Sequence, residues 1–174
     1  MKRYLIPILA ILVLTSGLLP GCVRKRSVSE LETYMNQAMP ILEQHAETTE
    51  TTNRANRAFL TALSSGNIAK TSEAFTSYKE TLLWALNRVD AELSSFKKLL
   101  PPNEARTFHG LMLDGLTKEQ YGLTKQLSYY SSVINYGSGD AAELNDGNAL
   151  MLEAQKTWLQ AKYELQDLGQ KLGK

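Results

Sequence analysis

Residues 68–103 read IAKTSEAFTSYKETLLWALNRVDAELSSFKKLLPPN. Ile68, Thr71, Phe75, Tyr78, Leu82, Leu86, Val89, Leu93, Phe96 and Leu100 recur at steps of three and four. That spacing marks one face of an α-helix that must be buried against other elements. The step from Leu82 to Leu86 is four where three was due, so an even supercoil is not required. Pro101-Pro102-Asn103 ends the run, because proline lacks a backbone N–H and cannot continue a helix.

Two further breakpoints lie outside this stretch, Ser64-Ser65-Gly66-Asn67 and Gly137-Ser138-Gly139-Asp140. The breakpoints separate segments of about 35, 32, 35 and 32 residues. Near-equal lengths joined by short turns predict an all-α fold, an antiparallel up-down four-helix bundle. The expected helices cover 29–63, 68–99, 103–137 and 141–172. Each start carries capping chemistry. Ser29 with Glu32 and Asp140 with Glu143 form capping boxes, Asn67 is an N-cap, and Pro102 suits a first helical turn.

The third segment places His109, Met112, Leu116, Leu123, Leu127, Tyr130 and Ile134 on its seam. The fourth places Leu144, Met151, Trp158, Leu165, Leu168 and Leu172, with Ala154 and Ala161 between. The first segment starts in the same way, at Leu31, Met35, Ala38 and Leu42. It then continues as His45, Thr49, Thr52 and Asn56 before Phe59 and Leu63 resume. Threonine is a poor helix former and a buried hydroxyl needs a partner. Pro40, just upstream, is expected to kink the helix. The centre of the first helix is therefore either a polar layer of the bundle, with His45, Thr49 and Thr52 inside, or an exposed, bent stretch.

The amino terminus has a different composition. Lys2 and Arg3 precede ten apolar residues, Leu5 to Leu14, the pattern of a secretory signal. The apolar run is shorter than the roughly 20 residues that span a bilayer. Leu18-Leu19-Pro20-Gly21-Cys22 closes it with the single cysteine of the chain. This stretch resembles the lipobox of bacterial lipoproteins. Leu19, Gly21 and Cys22 fit the pattern, and Pro20 stands where a small residue is usual. The resemblance implies a signal peptide over 1–21, cleavage after Gly21 and acylation of Cys22, which becomes the anchor. More than one acyl chain holds a protein stably on a membrane. Val23 implies the outer membrane of a two-membrane cell, or the outer face of the cell membrane in a one-membrane cell. Residues 22–28 read as the lipidated cysteine and a short tether whose Arg24, Lys25 and Arg26 can meet anionic headgroups, and 29–174 as the bundle. Leu99-Leu100-Pro101-Pro102-Asn103-Glu104, with His109 beyond, also resembles a turn of helical lipoproteins, which implies a helical hairpin and no activity.

Without Lys2 and Arg3 the 19 basic residues fall to 17 against 18 acidic ones. A net charge near −1 gives no reason to expect nucleic acid. The two histidines, His45 and His109, lack the Glu-x-x-His motif of di-iron bundles, with Leu42 and Arg106 in the glutamate positions. Their offsets along antiparallel helices separate them by roughly 15 Å. No metal, no cofactor, no phosphate-binding loop and no nucleophile elbow is expected, and the chain reads as a non-enzyme. Trp84, off the seam, with Tyr129 and Tyr136, is the candidate binding surface, since amphipathic rings suit interfaces. The function expected is a membrane-anchored protein-binding or structural module. The alternative is a small-ligand carrier using a cavity near His45.

Overall fold

The computed structural model describes residues 22–173, the stretch 22–27 by backbone alone. The signal peptide expected over 1–21 and the side chain of Cys22 lie outside the described residues. Four helices follow in order: α1 (Cys22–Ser64), α2 (Ile68–Phe96), α3 (Arg106–Tyr136) and α4 (Ala141–Leu172). A 3-10 turn at Asn103–Ala105 precedes α3. The fold is all-α, an antiparallel bundle with no strand among the described residues. None of these helices is long and apolar enough to cross a membrane.

The turns follow from local chemistry. Gly66 and Gly137 adopt φ of 67° and 74°, left-handed values that a side chain disfavours. Asn67 accepts from the Lys70 N–H and so caps α2. Asp140 caps α4 through Ala142, while Glu143 accepts from Ser128 on α3 and does not reach back, so the expected box is only half formed. Ser29 caps nothing, because α1 begins at Cys22 and the stretch read as a tether takes helical backbone. Pro102 sits one place outside the 3-10 turn, in extended backbone. Helix α1 runs on through Pro40. Pro40 and Asn36 are both exposed, so the Asn36 carbonyl that loses its partner faces solvent.

Helices α3 and α4 lie closest together, α1 packs along α2, and α1 and α4 meet along the widest seam. Small residues explain the first contact. A Cβ added at Gly147 would stand 3.1 Å from the Gly122 carbonyl oxygen, and one at Gly122 would stand 3.1 Å from that of Gly147. Here the two backbones touch.

The end holding the start of α1, the α2–α3 corner and the end of α4 is the near end. Its core is Leu31, Tyr34, Met35 and Ala38 from α1, packed with Leu93, Phe96, Phe108, Met112 and Leu168. Toward the far end the interior is an aromatic group, Phe59, Phe75, Tyr78 and Tyr130, with ring centroids 5.4–6.4 Å apart. Several expected seam residues stand outside the core. Ile68 is 86 % exposed and Leu100 89 %, and Leu63 and Ile134 are also exposed. They continue the helical phase past the point where a partner helix covers it.

Candidate functional site

The middle of the bundle holds a buried polar cluster with a member from every helix. On α1, His45 and Thr48 stand one turn apart. On α2, Glu92 follows Val89 by three residues, and on α3, Glu119 follows Leu116 by three. On α4, Trp158 follows Ala154 by four. Steps of three and four place each on the inward face. His45, Thr48, Glu92 and Glu119 are all buried, and Trp158 half-buried.

His45 Nδ1 lies 2.9 Å from Glu92 Oε2, and its Nε2 lies 3.4 Å from Glu119 Oε2. Both ring nitrogens therefore face a carboxylate, the arrangement that a doubly protonated imidazolium satisfies. The Thr48 hydroxyl is 3.1 Å from Glu92 Oε1 and 2.9 Å from the Gln44 carbonyl, either of which can take its one proton. The Trp158 indole N–H donates to Glu119 Oε2 at 3.2 Å. Its ring packs on the His45 ring with centroids 4.4 Å apart. Gly115, one turn before Glu119, makes room for it: a Cβ there would stand 3.1 Å from the indole.

Burial opposes charge on His45, but the Glu92 hydrogen bond and the fields of Glu119 and Glu92 together outweigh it and raise its pKa. Burial also pushes the Glu119 carboxyl up, against the pull of His45 and the Trp158 hydrogen bond. The cluster thus favours an imidazolium beside Glu92, with Glu119 drawn toward its protonated form. A second, shallower set joins α3 to α4. Lys118 pairs with Asp114 at 2.6 Å, and Thr157 donates to the same carboxylate at 3.2 Å.

His109 occupies a separate layer nearer the corner. Its Nδ1 is 3.1 Å from the Tyr34 hydroxyl, and its ring stacks on Phe96 with centroids 5.0 Å apart. Burial lowers its pKa and so favours the neutral imidazole, whose Nδ1 accepts from the Tyr34 hydroxyl or donates to it according to the tautomer. Among the described residues no group of three His, Cys, Asp or Glu side chains could hold a metal ion. In the central cluster the imidazole lies between the carboxylates, so the donors do not converge on one point.

The expected polar interior is present but differs in membership. His45 is inside, Thr49 is exposed, and its place is taken by Thr48. Thr52 is half-buried and donates back to the Thr48 carbonyl. At the cluster, side chains of Glu92, Glu119 and Trp158 lie directly against the His45 ring. A cleft of about 590 Å³ lies elsewhere, between Ser29–Gln37 of α1 and Lys98–Pro102 of the corner.

Trp84, Tyr129 and Tyr136 do not form one surface. Trp84 is 37 % exposed, with the Arg88 guanidinium 5.8 Å above its ring. Tyr129 is half-buried, its ring covering Gly139 of the last turn and packing on Tyr130. Tyr136 is 81 % exposed at the far end. Glu92 and Glu119 were not anticipated by the pattern of apolar residues. One signal existed for Glu119, since the α3 seam jumps seven residues from Leu116 to Leu123 and position 119 fills the missing step.

No family model matches the chain, and no curated protein or solved structure is significantly similar to it.

Proposed function

We propose that the chain is a lipoprotein of the bacterial cell envelope, held by acylated Cys22 on the extracytoplasmic face of a membrane, and that its bundle presents a protein-binding surface. The observation that carries this reading is the placement of exposed apolar side chains. Leu60, Leu63, Ile68, Ile134 and Tyr136 are exposed where α1 meets α2 and α3 ends, the end opposite Cys22. Leu83, Trp84, Tyr121, Leu152, Leu159 and Tyr163 are also exposed, but they are spread along the outer faces of α2, α3 and α4, whereas these five share one end of the bundle. Exposed apolar groups gathered in one region mark interaction sites, and this region points away from the anchor. The central cluster serves the scaffold. A buried polar network shared by four helices fixes their register, since any slip leaves a charge unpaired.

The contacts of His45 with Glu92, Glu119 and Trp158 favour this reading over a carrier that binds its ligand at His45.

Two measurements test the proposal. Cys22→Ser should abolish acyl mass and membrane association in intact cells; retention of both would overturn the anchor. A photo-crosslinking residue at position 136 should capture a protein, and the same residue at exposed Glu43 of α1, away from the exposed apolar side chains, should not. Equal capture at the two sites would remove the far-end surface.

A further inference from the structure

We infer that the α2–α3 corner is a second foot on the membrane, a site for anionic phospholipid headgroups that works together with the start of α1. This inference rests on the anchored reading above.

The corner runs Lys97-Lys98-Leu99-Leu100-Pro101-Pro102. Leu99 is half-buried against the core, which leaves Leu100 projecting at 89 % exposure. Lys97 and Lys98 are exposed beside it. Two cations shortly before one projecting leucine, which two stiff prolines follow, form an amphipathic tip suited to an interface.

The position of the tip fits a bilayer as its occupant. The corner lies against Ser29, Thr33 and Tyr34 of α1, as the cleft they line together records. Cys22 precedes Ser29 by seven residues, so it stands about 10 Å further along the axis of α1. A headgroup layer is roughly 5–8 Å deep on each side of the hydrocarbon core. The cleft extends along α1 to Gln37, about 22 Å from Cys22, so a chain anchored at Cys22 holds the Ser29 edge of the corner just above the headgroups. Lysine side chains bridge the remaining gap, and a modest tilt of the bundle seats Leu100.

Charge points the same way. The acids at this end are Glu30, Glu32, Glu104, Glu164 and Asp167, the last paired with Lys171. Lys97, Lys98, Arg106 and Lys171 fall one short of them. Arg24, Lys25 and Arg26, on the first turns of α1, then make the whole end cationic. An anionic lipid surface attracts such a cluster.

The test uses the full processed chain. Acylation consumes the Cys22 thiol, so Leu100→Cys supplies the single site for an environment-sensitive dye, with Ile68→Cys as the far-end control. Each labelled protein is placed in vesicles that carry a lipid-borne quencher, either pure phosphatidylcholine or about one-third phosphatidylglycerol. Strong quenching at position 100 in the anionic vesicles, with little at position 68, is expected. Replacing Lys97 and Lys98 by glutamine should weaken the contact about fivefold per cation removed. Equal quenching at positions 100 and 68 on an acylated chain would overturn the corner site alone. Equal quenching in both vesicle types would overturn the choice of an anionic surface. A chain lacking acyl mass, with dye on Cys22, would overturn the anchor and the second foot with it.

Discussion

The near half of the bundle is closed and the far half is open. Near the corner, Phe96, Phe108, Met112 and Leu168 are fully buried, with Tyr34 and His109 hydrogen-bonded among them. From Thr49 to Ser77 and from Thr124 to Asp146, no residue is fully buried. The far half is held by half-buried rings, Phe59, Phe75 and Tyr130, around Tyr78. The His45–Glu92–Glu119 cluster marks the boundary. The contrast teaches that helix length and packing are separate matters here. The same four helices run through both halves, but only one half has the apolar residues to exclude water on every side. Stability resides in the half that holds the start of α1, and the far half is left free to present a surface.

The largest effects should separate the halves directly. Phe96→Ala or Phe108→Ala should cost about 3–5 kcal/mol, the range for a buried phenylalanine. Phe75→Ala should cost only about 1–2 kcal/mol, in proportion to its partial burial. Urea titrations of the three variants check this, and equal costs would abolish the distinction. At the boundary, Glu92→Ala removes the partner of His45 Nδ1, while Thr48 keeps the Gln44 carbonyl, and should cost about 3 kcal/mol. Replacing His45, Glu92 and Glu119 together by leucine should be neutral or stabilising, because no charge is left buried. If the triple variant were the worse of the two, the cluster would contribute net stability as well as register.

Gly147→Ala should lose about 1–2 kcal/mol, since its Cβ meets the Gly122 carbonyl and outweighs the helical preference for alanine. Gly169→Ala, with nothing within 4 Å, should gain about 0.5–1 kcal/mol. Thermal melts of both variants decide whether the backbone contact is as close as described.

A pH series then sets the two histidines against each other. His45 is raised, so its contribution is complete below about pH 6.5 and is lost as pH climbs through its folded value. Glu119 is also raised, and its contribution likewise fades above about pH 4.5. His109 is lowered, so its contribution is present above about pH 6.5 and disappears as pH falls. His45→Gln should flatten the alkaline side of the stability profile and His109→Gln the acid side. The smallest effect belongs to Ile68→Ser, which should change stability by no more than about 0.5 kcal/mol because the side chain is already in water.

The sequence carried the turns because their chemistry is local. Gly66, Asn67, Gly137 and Asp140 act within four residues of themselves. The middle of the α2 seam, Tyr78 to Phe96, was legible for the same reason, an unbroken apolar phase. That phase misled at Ile68 and Leu100, since periodicity does not record where a neighbouring helix stops. It also slipped by one residue at Thr48. The polar run after Leu42 offers no apolar marks, and extrapolation from His45 by four reached Thr49 when the inward step was three. Glu92 stayed hidden because only its partners on α1 make a carboxylate tolerable inside, and no local feature of α2 names them.

The contact between His45 and Trp158 also makes the widest seam of the bundle optically visible. Indole emission is quenched by a protonated imidazole lying against it, and these rings meet across α1 and α4 at 4.4 Å. Parting of the two helical hairpins, or loss of the His45 proton, should brighten Trp158 while Trp84, under Arg88, serves as the constant background.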